Sequence, residues 1–235
     1  MFNPHPHITQ VPIGDGNRCV VIDDFLADPQ ALRALAIAHC DGFDAAPLNA
    51  FPGLEMPMPD AFSARLNEFF IQHVRCLLGA RRTLEVHSRL SIVTLHGAQL
   101  QPVQRVCHRD RFAVVAGQMA AACVLYLFDQ PALGGTSFFR PRQPLAATNA
   151  LMRALYGMSS AEADAVLGAE AGYLAASNGW FELVHTVPAA WNRAIFYDGS
   201  VFHSSHISDA DRLAADPARG RLTLNGFFVC RRQAG

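Results

Sequence analysis

The residues best suited to chemistry in this chain are His108, Arg109 and Asp110. In an extended segment, side chains at i and i+2 point the same way. One imidazole and one carboxylate would then face a single point. They are two of the three donors of a site that holds a divalent metal through two histidines and a carboxylate and leaves positions on the ion open. The third donor must come from elsewhere. His203, in DGSVFHSSH, follows an aromatic run and an Asp-Gly turn, which suits a side chain at the start of a new strand. His206, on the same run, is the competing donor.

Taken alone, His-x-Asp is a weak signal, and an exposed ion pair or turn is the plainer reading. The same tripeptide opens the kinase catalytic loop HRDxxxxN, but that spacing puts Val115 where asparagine is needed. No GxGxxG loop precedes it and no DFG follows. The kinase reading fails.

The elements around these residues have the texture of an α+β protein. RCVVIDDFL (18–26) reads as a strand, and Asp28-Pro29 as the cap and first residue of a helix through QALRALAIAHC. The Pro- and Gly-rich stretch 41–59 reads as a loop. DAFSARLNEFFIQHVRCLLG (60–79) has helical apolar spacing ended by Gly79. From residue 82 onward, short β-like runs alternate with turn signals: TLEVHSRLSIVTL, PVQRVCH, FAVVA, MAAACVLYLF, GTSFFR, and later WFELVHTVP, NRAIFYDG, VFHSS and RLTLNGFFVC. The Ala-rich interval at about 144–176, with a Ser159/Glu162 capping pattern, reads as a helical insertion. The expected architecture is a single domain over 1–235, with N-terminal helices packed on a double-stranded β-helix of jelly-roll or cupin-like form.

Bulk composition narrows the classes. Of 235 residues, 51% are hydrophobic and 17% charged, which makes this a globular chain rather than a disordered one. A formal net charge of -1 argues against a general nucleic-acid or membrane binder. No apolar run has the length of a membrane span, and the N-terminus lacks a signal-peptide pattern. The six cysteines are scattered without a CxxC pair, so zinc-ribbon and thioredoxin readings fail. Reduced thiols and a cytoplasmic location are expected.

In order along the chain, VTLHGAQLQPVQRVCHRD, AACVLYLFDQPALGGTSFFR, NRAIFYDGSVFHSSH and RGRLTLNGFFV resemble the prolyl-hydroxylase-like branch of the Fe(II)/2-oxoglutarate-dependent dioxygenase superfamily. That branch has an H-x-D pair, a strand ending Tyr-Leu, a Gly-Gly-x-Thr/Ser-x-Phe turn, a distal His and an Arg on the next strand. VVIDDFLADPQALRALA resembles its opening strand and helix. The resemblance implies His108, Asp110 and His203 as catalytic iron ligands, and Arg221 as the partner of the distal carboxylate of 2-oxoglutarate. A planar guanidinium holds a carboxylate through two charge-assisted hydrogen bonds. Thr223 shares that strand face and offers a further hydroxyl. Tyr126 matches a position where a phenol reaches the co-substrate, with a core tyrosine the equal alternative. Arg221 comes later after His203 than the family pattern has it, across ISDADRLAADPARG, so Arg219 competes with it.

The implied reaction uses Fe(II), 2-oxoglutarate and O2. It couples oxidative decarboxylation of 2-oxoglutarate to oxidation, usually hydroxylation, of an unidentified small-molecule or peptide substrate. Two other classes fit the same residues: a cupin-like metal-dependent enzyme that does not use 2-oxoglutarate, and a non-catalytic ligand-binding barrel. Arg109, Arg111, Arg140 and Arg142, if near the site mouth, would favour an anionic substrate, though solvated arginines are the plainer reading. His96 reads as a structural turn residue and His185 as a core histidine rather than a ligand.

Overall fold

A computed structural model of the chain describes residues 1–45, 50–110, 115–168 and 171–232. The first residues form β1 (His7–Pro12), antiparallel to β2 (Arg18–Asp23). Asp28 then caps α1 (Pro29–Ala38), its carboxylate accepting from the Ala31 N–H at 3.0 Å, with proline in the first turn. The stretch expected to be a loop contains β3 (Asp44–Ala45) and β4 (Gly53–Pro57). The correction has a physical cause. β4 is held to the next strand by backbone pairing, which needs no apolar alternation in the sequence. A Cβ at Gly53 would overlap the Ile92 carbonyl oxygen, so glycine permits that approach.

The helix expected over 60–79 is α2 (Asp60–Phe69) continued by a π turn at Phe70–Val74 and a 3-10 turn at Arg75–Leu78. Gly79, at φ +70°, stops it. β5 (Ala80–Val93) follows. PVQRVCH is not a strand: Pro102–Arg105 form a 3-10 turn in which the Gln104 side chain accepts from the Gln101 N–H at 2.8 Å. Proline at its first position favours the turn over a ladder. Of FAVVA (112–116), positions 112–114 lie outside the described residues.

The remaining elements are β6 (Gln118–Tyr126), β7 (Gly135–Pro141), α3 (Leu145–Ala154), α4 (Ser160–Leu167), β8 (Phe181–Val187), β9 (Ala194–Asp198), β10 (Phe202–His206) and β11 (Arg221–Arg232). Two helices thus occupy the interval read as a helical insertion. Ser159 and Glu162 form the expected reciprocal cap on α4, at 3.3 Å and 2.8 Å.

The fold is a mixed α/β arrangement dominated by antiparallel sheets. An eight-stranded sheet has the order β1-β2-β9-β6-β11-β5-β4-β3, and a three-stranded sheet has the order β10-β7-β8. Alternation along the strands sorts side chains into layers. On β6, Ala121, Cys123 and Leu125 join Phe25, Leu66, Phe69 and Phe70 under α1 and α2. The intervening Ala122 and Tyr126 face the small sheet and pack with Phe138 and Tyr197. On β7, Phe138 points inward, whereas Phe139 points outward to Leu151 of α3 and Leu155 at its C-terminal end. Each such phenylalanine contributes about 1.5–3 kcal/mol of burial.

The Gly134-Gly135 turn is needed for backbone approach. Gly134 has φ +75°, and a Cβ there would overlap the His206 carbonyl oxygen at the end of β10. Gly134→Ala is expected to destabilise the fold by about 3 kcal/mol or more, read as a lowered midpoint in urea. An unchanged midpoint would show that β10 does not close against this turn.

Candidate metal centre

The segment Cys107–Asp110 is extended and docks onto the small sheet through its backbone. The His108 N–H donates to the His203 carbonyl oxygen (2.9 Å), and the His203 N–H donates back to that of His108 (2.8 Å). This reciprocal pair puts the two rings 4.4 Å apart. The Asp110 N–H donates to the Gly199 carbonyl oxygen at 2.8 Å. Side-chain direction then follows from the pleat: His108 and Asp110 point to one side, and His203 on β10 faces them. One donor atom from each of the three lies within 4.8 Å of the others. Asp110 Oδ1 is 3.8 Å from His108 Nε2, and Asp110 Oδ2 is 3.5 Å from His203 Nε2.

Protonation and orientation favour a cation between them. His203 Nδ1 lies 2.9 Å from the Val201 carbonyl oxygen. A carbonyl only accepts, so Nδ1 carries the proton and Nε2 presents its lone pair. Burial pushes the His203 imidazole down to about 4. Burial first, and then the neighbouring His203, pushes that of His108 down to about 4. Both rings are neutral at pH 7, as metal ligation requires. Burial raises the Asp110 carboxyl, and nearby His108, Arg89 and His87 oppose that shift. Asp110 Oδ2 is buried and accepts no hydrogen bond among the described residues. An orphaned carboxylate oxygen beside two imidazole lone pairs is what a divalent metal would satisfy. The residues present therefore fit a metal.

The three side chains line a cavity of about 620 Å³ between the sheets. Arg221 and Thr223, alternating on β11, line the same cavity. Arg221 is 3% exposed; its Nε donates to the Leu133 carbonyl oxygen (2.9 Å) and one Nη to that of Gly135 (2.8 Å). It has no carboxylate partner among the described residues, and burial lowers its pKa. Thr223 donates to the Ser91 carbonyl oxygen at 3.4 Å. Tyr126 is fully buried behind that wall, its hydroxyl 2.8 Å from that of Thr136, and Thr136 is the residue that reaches the cavity.

The competing candidates lie elsewhere. His206 sits at an odd offset from His203 on β10, with Nδ1 2.9 Å from the Ser137 hydroxyl. Arg219 is exposed beside a separate surface depression with Asp211 and Arg212. Arg140 pairs with Glu182 (2.8 Å) and Asp15 (3.5 Å), and neither it nor Arg142 lines the cavity. Arg111 lies outside the described residues. His96 opens a 3-10 turn and is 3.8 Å from Asp211. His185 pairs with Phe138 in the small sheet and does not line the cavity.

Sequence reasoning missed two contributors. Gly199 has Asp110 against it: an added Cβ would stand 2.9 Å from Asp110 Cβ and 3.3 Å from Oδ2. The Asp-Gly pair was read only as a turn. The second is α3 with the turn that follows it: Asn149, Met152 and Arg153 of the helix and Tyr156 just beyond its end reach the cavity, a stripe visible at i, i+3, i+4 and i+7.

Calorimetric titration with Mn(II) checks the centre. His108→Ala, Asp110→Ala and His203→Ala should each abolish tight binding. Gly199→Ala, which displaces Asp110 without removing a donor, should weaken it by about tenfold or more. Unchanged Mn(II) affinity in the Asp110 variant would contradict the assignment.

Among solved structures, the chain is similar to the non-heme alpha ketoglutarate dependent epimerase SnoN from nogalamycin biosynthesis. That likeness has 13% identity and a TM-score of 0.48, over 91% of this chain and 80% of that one. It is also similar to HygX from Streptomyces hygroscopicus, with nickel and 2-oxoglutarate bound (13%, TM-score 0.48, 90% and 82%). A third is an N-substituted L-amino acid dioxygenase from Burkholderia ambifaria AMMD in complex with alpha-KG (11%, TM-score 0.38, 90% and 81%). Likenesses this distant carry no assignment of activity. No curated protein matches. A family model matches residues 4–228, and the chain belongs to that family, described as a family of unknown function (DUF6445).

Proposed function

We propose that this protein is a non-haem Fe(II) enzyme that uses 2-oxoglutarate as co-substrate and oxidises an organic substrate, with hydroxylation as the outcome. The core would be a double-stranded β-helix. The observation that carries the reading is Arg221: a buried guanidinium without a carboxylate partner among the described residues, in the same cavity as the two histidines and the aspartate. A buried, unpaired charge is expensive, so an anion is called for there. An anion that also offers a metal-chelating group meets both requirements at once, and 2-oxoglutarate is such a molecule.

In this reading His108, Asp110 and His203 hold the metal, with the Val201 carbonyl oxygen fixing the ring of His203. Bound iron and 2-oxoglutarate supply the activation of O2, with 2-oxoglutarate going to succinate and CO2 as one oxygen atom enters the substrate. The protein's own part is positioning. Arg221, steadied by the Leu133 and Gly135 carbonyl oxygens, turns its remaining N–H groups to the distal carboxylate. Thr223 lines the same face, its hydroxyl proton already donated to the Ser91 carbonyl oxygen. Tyr126 supports Thr136 from behind.

Arg221 separates this reading from a metal enzyme that does not use 2-oxoglutarate. In calorimetry on the Mn(II)-loaded protein, Arg221→Ala should weaken 2-oxoglutarate by about 100-fold and leave Mn(II) affinity near wild type. Arg221→Lys, which keeps the charge but loses the fork, should fall between. With Fe(II) and O2, wild type should release succinate from 2-oxoglutarate. Equal 2-oxoglutarate affinity in all three proteins would remove the co-substrate from the reading. Metal binding without succinate at any 2-oxoglutarate concentration would favour the cupin-like class, and no metal binding would favour a non-catalytic barrel.

A further inference from the structure

We infer that the substrate of this site is a small organic anion, a carboxylate carried on an apolar body, held by the face that α3 turns to the cavity. The inference rests on the proposed function and names the substrate class for it. α3 has two sides. Thr148, Leu151 and Leu155 are buried, the two leucines against the outer side of the small sheet. Asn149, Met152, Arg153 and Tyr156 line the cavity.

The polar groups of that face are arranged for an anion. Arg109, in the dipeptide step between the two metal-facing residues, lies with its guanidinium 4.6 Å from the Phe202 ring centroid. It donates to Asn149 Oδ1 at 2.6 Å. Stacking and that hydrogen bond fix the plane of the guanidinium before any ligand arrives. Arg153, one turn beyond Asn149, is exposed, with no hydrogen bond or ion pair among the described residues. Met152, Tyr156 and Phe202 add apolar and aromatic surface to the lining of the same cavity.

Charge balance gives the sign. Among the described residues, four arginines line the cavity (Arg89, Arg109, Arg153, Arg221), and Asp110 is the one carboxylate. Arg89 is paired with Glu55 at 2.8 Å. A divalent metal, Asp110, Arg221 and the 2-oxoglutarate dianion cancel one another. Arg153, which has no ion pair among the described residues, therefore leaves the α3 wall positive in a chain whose formal net charge is -1. A concave wall of one sign selects ligands of the other. Arg140 and Arg142, which the sequence offered for this role, lie outside the cavity, and Arg153 takes their place.

The test uses three probes of one shape: 3-phenylpropionate, its neutral amide and the cation 3-phenylpropylamine. Each is titrated into protein loaded with Mn(II) and 2-oxoglutarate, so that the metal and Arg221 are already engaged. Relaxation of the probe's protons by Mn(II) reports binding in this cavity. The acid should bind at least about tenfold tighter than the amide, with the amine weakest. Arg153→Gln should remove most of that preference and Arg109→Gln the remainder, with Mn(II) and 2-oxoglutarate affinities held near wild type in the Arg153 variant. If the acid binds no tighter than the amide, whether both bind or neither does, the inference is wrong. The same holds if the preference survives in the double variant. Calorimetry on metal-free Arg221→Ala protein keeps the two readings apart. An acid preference there that depends on Arg153 sustains the anionic wall even where 2-oxoglutarate fails to bind wild type. Its loss there places the anion at Arg221 and overturns the inference.

Discussion

The reciprocal backbone pairing of His108 with His203 is the contact on which the site depends. Two short N–H···O bonds join a non-repetitive segment to the first strand after the Asp-Gly turn. Their geometry sets the two imidazoles side by side, with ring centroids 4.4 Å apart and planes tilted by 57°. The third bond, from Asp110 to the Gly199 carbonyl oxygen, brings the carboxylate into the same space. Everything that fixes β10 therefore fixes the donors: its pairing with β7, the turn at Gly134 that passes under His206, and the outward packing of Phe202 against Phe181. On the other side, the buried Arg105 is ion-paired with Asp164 of α4 and so holds the turn that leads into His108. The helices inserted between β7 and β8 thus anchor the metal-facing segment and also wall the cavity.

The second constraint is electrostatic. The cavity holds one orphaned carboxylate oxygen and one buried guanidinium without a carboxylate partner among the described residues. Neither satisfies the other. A fold retains groups of that kind at a cost in stability, and such costs are concentrated at functional sites. A cation for Asp110 and an anion for Arg221 relieve both. Thr136 and Tyr126 illustrate the opposite case: the buried phenol is satisfied by the Thr136 hydroxyl and does not itself line the cavity.

Much of this was legible in the sequence because it rests on local chemistry. The Asp28 and Ser159 caps, the i, i+2 geometry of His108 and Asp110, and the β-like runs that become β6, β7 and β11 all follow from local sequence. What was not legible depends on long-range pairing. β4 reads as loop because its partner β5, not its own side chains, makes it a strand. PVQRVCH reads as strand because β-branched composition outweighed the proline that starts a turn. The choice between His203 and His206 needed the register of β10, and that between Arg219 and Arg221 needed the residue at which β11 begins. Gly199 was invisible because its role is to leave room for a side chain far away in sequence.

The most direct measurement is an anaerobic absorption titration of the Fe(II)-loaded protein with 2-oxoglutarate. A 2-keto acid chelated to Fe(II) gives a visible charge-transfer band that neither component has alone. Wild type should develop the band saturably, Asp110→Ala should not develop it, and Arg221→Ala should require far more 2-oxoglutarate to reach the same intensity. Absence of the band in wild type at saturating 2-oxoglutarate, or an identical titration in all three proteins, would contradict the assignment of this cavity.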